Sequence, residues 1–184
     1  MTTILALSGS LRRGSFNSAL LRAAVEHAGA DTRVEIASIA GIPLYDGDLE
    51  SEQGLPEAVV RLKERLAAAD GLLLATPEYN SGIPGVFKNA IDWLSRPARD
   101  IARVFGDKPV AIIGATPGRA GTRLAQAAWL PVLHTLGTRV WTGKQLYVSG
   151  AGQVFDGEGK LIDTTIAKLL GEFMAGFGEF VKRA

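Results

Sequence analysis

Two apolar runs constrain this chain most: Ile4, Leu5, Ala6, Leu7 and Leu72, Leu73, Leu74, Ala75, neither broken by a polar residue. A strand with one face in water alternates apolar and polar side chains, whereas a strand covered on both faces reads as a continuous apolar run. The runs therefore predict a parallel sheet sandwiched between helices. Similar segments recur, giving strand candidates at 2–7, 33–36, 71–75, 109–114 and roughly 138–148. Helix candidates lie between and after them, at 17–29, 56–69, 84–94, 121–136 and 162–182. Leu20, Leu21, Ala24 and Val25 repeat at helical spacing in the first, and Val59, Leu62 and Leu66 form one stripe in the second. Pro56 suits a helix start, and Gly29 suits a helix end.

This β-α alternation indicates a doubly wound α/β domain of three layers. Five parallel strands with right-handed crossovers fit the flavodoxin-like order 2-1-3-4-5. The 184 residues suit a single domain spanning 1–184, long enough to bury a core. Only 43–56 and 149–160 read as long irregular segments, a class more often functional than idle.

Composition removes several chemistries. The chain has no Cys, which excludes disulfides, thiolate catalysis and cysteine-held metal clusters. Its two histidines, His27 and His134, lie far apart in helical patterns, so no metal site is expected. The net charge of +1 gives no reason to expect a nucleic-acid partner. No signal-peptide pattern opens the sequence, and no apolar stretch approaches the ~20 residues that span a bilayer. A cytoplasmic protein without membrane insertion is the expectation.

Ligands of open α/β sheets bind beyond the carboxyl ends of the strands, which directs attention to three loops. The first, Ser8 to Ser18, reads SGSLRRGSFNS. Hydroxyls, two arginines and a following helix N-terminus are donors for an anion. The loop lacks the Walker lysine and the G-x-G-x-x-G spacing, and it has no nucleophilic cysteine. It therefore suits a terminal phosphate that is held and not transferred. The second loop, PEYNSG at 77–82, brings backbone amides and an aromatic ring to the sheet edge, and Pro84 then starts a helix. The third, ATPGRAGTR at 115–123, contains a tight turn with Arg119 and Arg123 close by. A solvated helix start, or a salt bridge to another subunit, is the plain alternative for those two arginines.

Taken together, GSLRRGSFN and PEYNSGIPGVFKNAIDWLSR resemble the phosphate loop and the second signature of the NADPH-dependent FMN reductase family. That family includes chromate and quinone reductases and azoreductase-like flavoproteins. The likeness extends to LYDGD at 44–48 and FGEFV near the C-terminus. It implies that Ser10, Arg12, Ser15, Phe16 and Asn17 hold the FMN phosphate and ribityl chain. Pro77, Glu78, Tyr79 and Asn80 would edge the flavin ring, chiefly through backbone amides. Thr116, Pro117 and Gly118 would close its other side, although ATPG departs from the Ser-rich turn common in relatives. The implied activity is ping-pong hydride transfer from NADPH or NADH, through FMN, to quinones, chromate, azo compounds or flavins.

Bound flavin carries that chemistry, so no catalytic acid, base or nucleophile is assigned among the side chains. A flavodoxin-type electron carrier and a flavin-free nucleotide-binding protein remain alternatives, because a fold does not fix a function. Four arginines in the ligand loops favour an anionic dinucleotide over the acidic surface usual in carriers. Phe87, Trp93, Trp129 and Leu133 supply more apolar bulk than one sheet face obviously needs. With the family's habit, this points to a homodimer or homotetramer. Asp46 and Asp48 are left unassigned beside the possible site.

Overall fold

Strand β1 (Thr2–Ser8) lies inside the sheet, with a parallel neighbour on each side. Leu5 pairs with Glu35 of β2 (Thr32–Ala37) and with Leu72 of β3 (Gly71–Ala75). The structure is a computed structural model and describes residues 1–184. β4 (Pro109–Ala115) continues the sheet beyond β3, giving the path β2-β1-β3-β4 expected from the sequence. Helices α1 (Phe16–Glu26), α2 (Gly47–Gln53), α3 (Glu57–Ala68), α4 (Gly85–Leu94), α5 (Ile101–Phe105) and α6 (Arg123–Thr135) lie between the strands in chain order.

The fifth position of the sheet departs from expectation. It is filled by two short pieces, β5 (Arg139–Val140) and β6 (Leu146–Val148), both parallel to β4. Between them the chain leaves the ladder. The Trp141 ring packs edge-on against Phe173, with centroids 4.8 Å apart, and lies 5.8 Å from Phe177. Both phenylalanines belong to the long α8 (Thr164–Lys182), which follows the one-turn α7 (Ala151–Val154). A strand through 138–148 is thus corrected to two fragments: the Trp141 N–H still donates to Val110 O at 2.8 Å, and the ladder is interrupted over 142–145.

The apolar runs divide their side chains between two cores. Ile4, Ala6, Leu73 and Ile113 face Leu20, Leu21, Phe173 and Phe177 of α1 and α8. Leu5, Leu7, Leu72 and Leu74 face the opposite layer, where Leu62, Leu66, Phe87 and Trp129 come from α3, α4 and α6. Each fully buried side chain of this kind contributes about 1.5–3 kcal/mol. The aromatic bulk expected at a subunit contact is part of this core: Phe87, Trp93, Trp129 and Leu133 are all 0% exposed. The large apolar side chains that α4 and α6 do expose are Val86, Leu124 and Leu130.

Helix ends follow their caps. Ser15 accepts from the Ser18 N–H at the start of α1, and Asp163 accepts from the Ile166 N–H at the start of α8. The segment 43–56 is not wholly irregular, because Asp46 accepts from the Asp48 N–H and starts α2. No helix is long and apolar enough to cross a membrane.

Candidate functional site

The loops after β1, β3 and β4 meet on the carboxyl edge of three adjacent strands. Gly9 brings the first onto the second: its N–H donates to Ala75 O at 2.9 Å. A Cβ at Gly9 would run into the Phe87 ring and lie 2.9 Å from Pro77 Cδ, so only glycine permits this approach. Asn17 joins the first loop to β4. Its Nδ2 donates to Ala115 O at 2.9 Å, and its Oδ1 accepts from Ala115 N at 2.9 Å. The side chain is 3% exposed and works as a brace between α1 and the sheet.

The second and third loops are fastened to each other by side chains. Glu78 Oε2 accepts from the backbone N–H groups of Leu124 (2.8 Å) and Ala125 (3.1 Å). Helix α6 starts after Thr122, a left-handed residue (φ 63) with no capping side-chain bond. Glu78 therefore does remotely what a local cap usually does, placing a carboxylate where free N–H groups and the helix dipole favour it. Trp129 Nε1 adds a second tie, donating to Thr76 Oγ1 at 3.1 Å, and that hydroxyl donates to Pro77 O. Thr122 fits under the third loop because Gly114 has no Cβ to meet its hydroxyl.

The loop conformations leave donors available. Between Ser10 and Asn17 the one backbone N–H with an acceptor inside the chain is that of Arg12, bonded to Ser10 Oγ at 3.3 Å. The others include the first N–H groups of α1, which no preceding turn can satisfy. In the second loop Tyr79 and Gly82 exchange both backbone hydrogen bonds, while Asn80 and Ser81 have φ of 49° and 61°. Positive φ at both central positions is the signature of a type I′ turn, which asparagine tolerates well. The N–H groups of Glu78, Asn80 and Ser81 have no acceptor within the chain. In the third loop Thr116 Oγ1 accepts from Gly118 N, and Gly118 O accepts from Gly150 N. Pro117 and Gly118 are exposed between them.

Charge at this edge is mostly uncompensated. None of Arg12, Arg13, Arg22, Arg119 or Arg123 takes part in an ion pair. Arg123 instead lies over the Tyr147 ring, 5.0 Å from its centroid. The clearly shifted titrating groups belong elsewhere. Asp100 is held below the usual aspartate value by its hydrogen bond from Lys63, and burial pushes the Lys108 ammonium down.

The expected residues thus fall into two groups. Ser10, Arg12, Tyr79, Asn80, Pro117 and Gly118 lie at the surface of the three-loop cluster, with Tyr79 53% exposed. Ser15, Asn17, Pro77, Glu78 and Thr116 build it, as caps, braces and turn residues. Phe16 turns towards Phe155 on the flank of α1, with centroids 6.0 Å apart. Thr76, Gly114 and Thr122 were not singled out from sequence. Their signal exists only once β3, β4 and α6 are side by side.

Comparison with known proteins agrees with this architecture. Residues 2–153 match the family model described as NADPH-dependent FMN reductase. The chain is 42% identical to the NAD(P)H-dependent FMN reductase PA1204 of Pseudomonas aeruginosa over 180 residues, covering 98% of this chain and 95% of that one. It is 40% identical to a quinone reductase of Escherichia coli over 185 residues, with 98% and 95% covered. Among solved structures, the flavoenzyme NAD(P)H:(acceptor) oxidoreductase FerB of Paracoccus denitrificans superposes with a TM-score of 0.89 at 33% identity, covering 100% of this chain and 98% of that one. On sequence, fold and loop architecture alike, this chain belongs to the NADPH-dependent FMN reductase family and is an FMN-dependent NAD(P)H oxidoreductase.

Proposed function

We propose that the first loop holds the FMN phosphate, that the second and third loops flank the flavin ring, and that quinones are the acceptors. The observation that carries this reading is the row of backbone N–H groups between Ser10 and Asn17 left without acceptors, with Arg12 beside them. A phosphate monoester needs such a set: several convergent N–H donors at a helix start and one guanidinium. The residues present therefore fit the group. Arg12, Ser10 and the start of α1 bind the phosphate, and Ser15 orients the helix that presents those N–H groups.

The N–H groups of Glu78, Asn80 and Ser81 are the donors offered to the polar edge of a flat ring. Glu78 contributes its backbone there while its carboxylate keeps α6 and the third loop at a fixed distance. Bound FMN supplies the redox chemistry, accepting hydride from NAD(P)H and reducing the acceptor. The chain positions and shields, and no titrating side chain of the three loops is assigned a proton transfer. Quinone as acceptor rests on similarity to the E. coli quinone reductase. A second copy of the chain covering Val86, Leu124 and Leu130 completes the proposal, as a homodimer or homotetramer.

The purified protein should release FMN on heating, and anaerobic NADPH should bleach the bound flavin with no partner protein present. Release of flavin without bleaching would leave an electron carrier, and absence of flavin would leave a nucleotide-binding protein. Steady-state turnover with benzoquinones should show ping-pong kinetics.

A further inference from the structure

Between β3 and the exposed turn of the second loop stands a buried threonine that the proposed flavin contacts leave without a duty. Thr76 is 0% exposed, and its backbone N–H donates to Ile113 O of β4 at 2.9 Å. Its hydroxyl lies 3.1 Å from Trp129 Nε1 and 2.9 Å from Pro77 O. We propose that Thr76 is a positioning residue for the flavin: its hydroxyl, held by the Trp129 indole, sets the Pro77–Glu78 peptide so that the Glu78 N–H faces the polar edge of the ring. The proposal rests on FMN lying between the second and third loops.

The direction of these bonds follows from what each group can do. An indole N–H only donates, so towards Trp129 the Thr76 oxygen accepts. The hydroxyl carries one proton, and Pro77 O, which only accepts, takes it. Trp129 is itself 0% exposed and packs edge-on against Phe87, with ring centroids 5.0 Å apart, so the indole donor has a fixed place. Gly114 completes the seat: a Cβ there would lie 2.5 Å from Thr76 O. The threonine is therefore held by β4 through its backbone and by α6 through its side chain.

What this arrangement fixes is a peptide plane. The Pro77–Glu78 bond is trans, and a trans peptide unit is planar with its C=O and N–H pointing in opposite directions. Pro77 O is drawn to a fully buried hydroxyl, so the Glu78 N–H of the same plane points the other way, out from the sheet edge. No acceptor in the chain meets it. Turning that N–H inward would break the Thr76 bond. The other end of the residue is also fixed, because the Glu78 carboxylate accepts from the Leu124 and Ala125 N–H groups. One donor is thus aimed before any ligand arrives, and such preorganisation strengthens binding by removing the cost of ordering the loop.

The test compares Thr76→Val, which keeps the shape and removes the hydroxyl, with Thr76→Ser, which keeps the hydroxyl. Thr76→Ala removes the same group without adding a methyl, and serves where valine does not fold. FMN is titrated into the flavin-free protein, and hydrogen exchange of the Glu78 amide is followed by NMR with and without FMN. In wild type, FMN should bind and slow that exchange. In Thr76→Val and Thr76→Ala the Kd for FMN should rise roughly two- to tenfold, the range for one neutral hydrogen bond, and Glu78 should lose most of its protection. Thr76→Ser should restore both. Trp129→Phe should also weaken FMN, yet add nothing in the Thr76→Val background, because the indole acts through the hydroxyl. Lower stability with unchanged Kd and unchanged Glu78 protection would make Thr76 a purely structural residue and overturn the proposal. A serine variant as weak as valine, or additive effects at 76 and 129, would overturn it too. Failure of the wild type to bind FMN would instead overturn the flavin reading, and the proposal with it.

Discussion

Around the segment that joins α4 to β4, cations are paired with care. Lys63, 2% exposed, donates to Asp100 Oδ2 at 2.6 Å and to Arg96 O. Arg96 bonds Glu50 at 2.8 Å, and Arg103 forms a two-pronged bridge to Glu64 at 2.9 and 3.0 Å. At the carboxyl edge of the same sheet Arg12, Arg13 and Arg119 have no such partner, and backbone N–H groups stand open in the first loop. One chain has therefore satisfied its charges in one region and left them unsatisfied in another. Unpaired groups cost little while water solvates them, and they become strong donors when a ligand displaces that water. The contrast separates residues that hold the fold from the residues proposed to bind a ligand.

That distinction can be broken experimentally, and the sharpest break lies inside the loop cluster. Asn17 sits in the ligand loop yet belongs with the paired groups. Removing one partner costs about 1–3 kcal/mol for each buried group left behind, here the Ala115 N–H and C=O, so Asn17→Ala should lose roughly 2–6 kcal/mol in denaturant unfolding. A loss near zero would return Asn17 to the ligand-binding set. Arg12→Ala should do the opposite, leaving stability of the flavin-free chain unchanged while weakening FMN by roughly 1.5–3 kcal/mol, read as an equilibrium Kd. Unchanged flavin affinity would remove Arg12 from the phosphate site.

Glu78 belongs to both classes. Glu78→Ala should cost about 0.5–2 kcal/mol, the range for loss of a helix cap, and weaken flavin binding indirectly. Glu78→Gln keeps an acceptor and should fall between wild type and alanine in both readouts. The smallest effect is expected in acid. The carboxyl of Asp100 titrates below its ordinary value in the folded chain because of Lys63. Its stabilisation is thus complete above the unfolded value, near pH 3.9, and is lost as pH falls through the lower folded one. Melting temperature should drop on that limb, and less steeply in Asp100→Asn. Identical slopes in the two proteins would show that this pair does not set the acid limit.

How far the sequence spoke can be read from the same residues. The two apolar runs announced a sheet covered on both faces because alternate side chains feed two different cores. The short helices α2, α5 and α7 escaped notice because they are too short to display a helical period. The break in the fifth strand falls at 142–145, where Gly143 and Lys144 have poor strand character, a local signal that the apolar residues on either side masked. At the site, the loops were legible from their residue types, but the duties within them were not. Asn17 reaches a partner 98 residues away, and Glu78 reaches partners 46 and 47 residues away.

The interrupted fifth strand has a consequence for the life of the protein among other copies of itself. An open sheet ends in two rims of unsatisfied hydrogen-bonding groups, and a long straight rim invites another chain to continue it. Here that rim is cut into a two-residue and a three-residue fragment, with Trp141 drawn inward at the gap. No incoming strand can register along it for more than a few residues. A rim divided in this way offers an incoming strand only two short stretches to pair with.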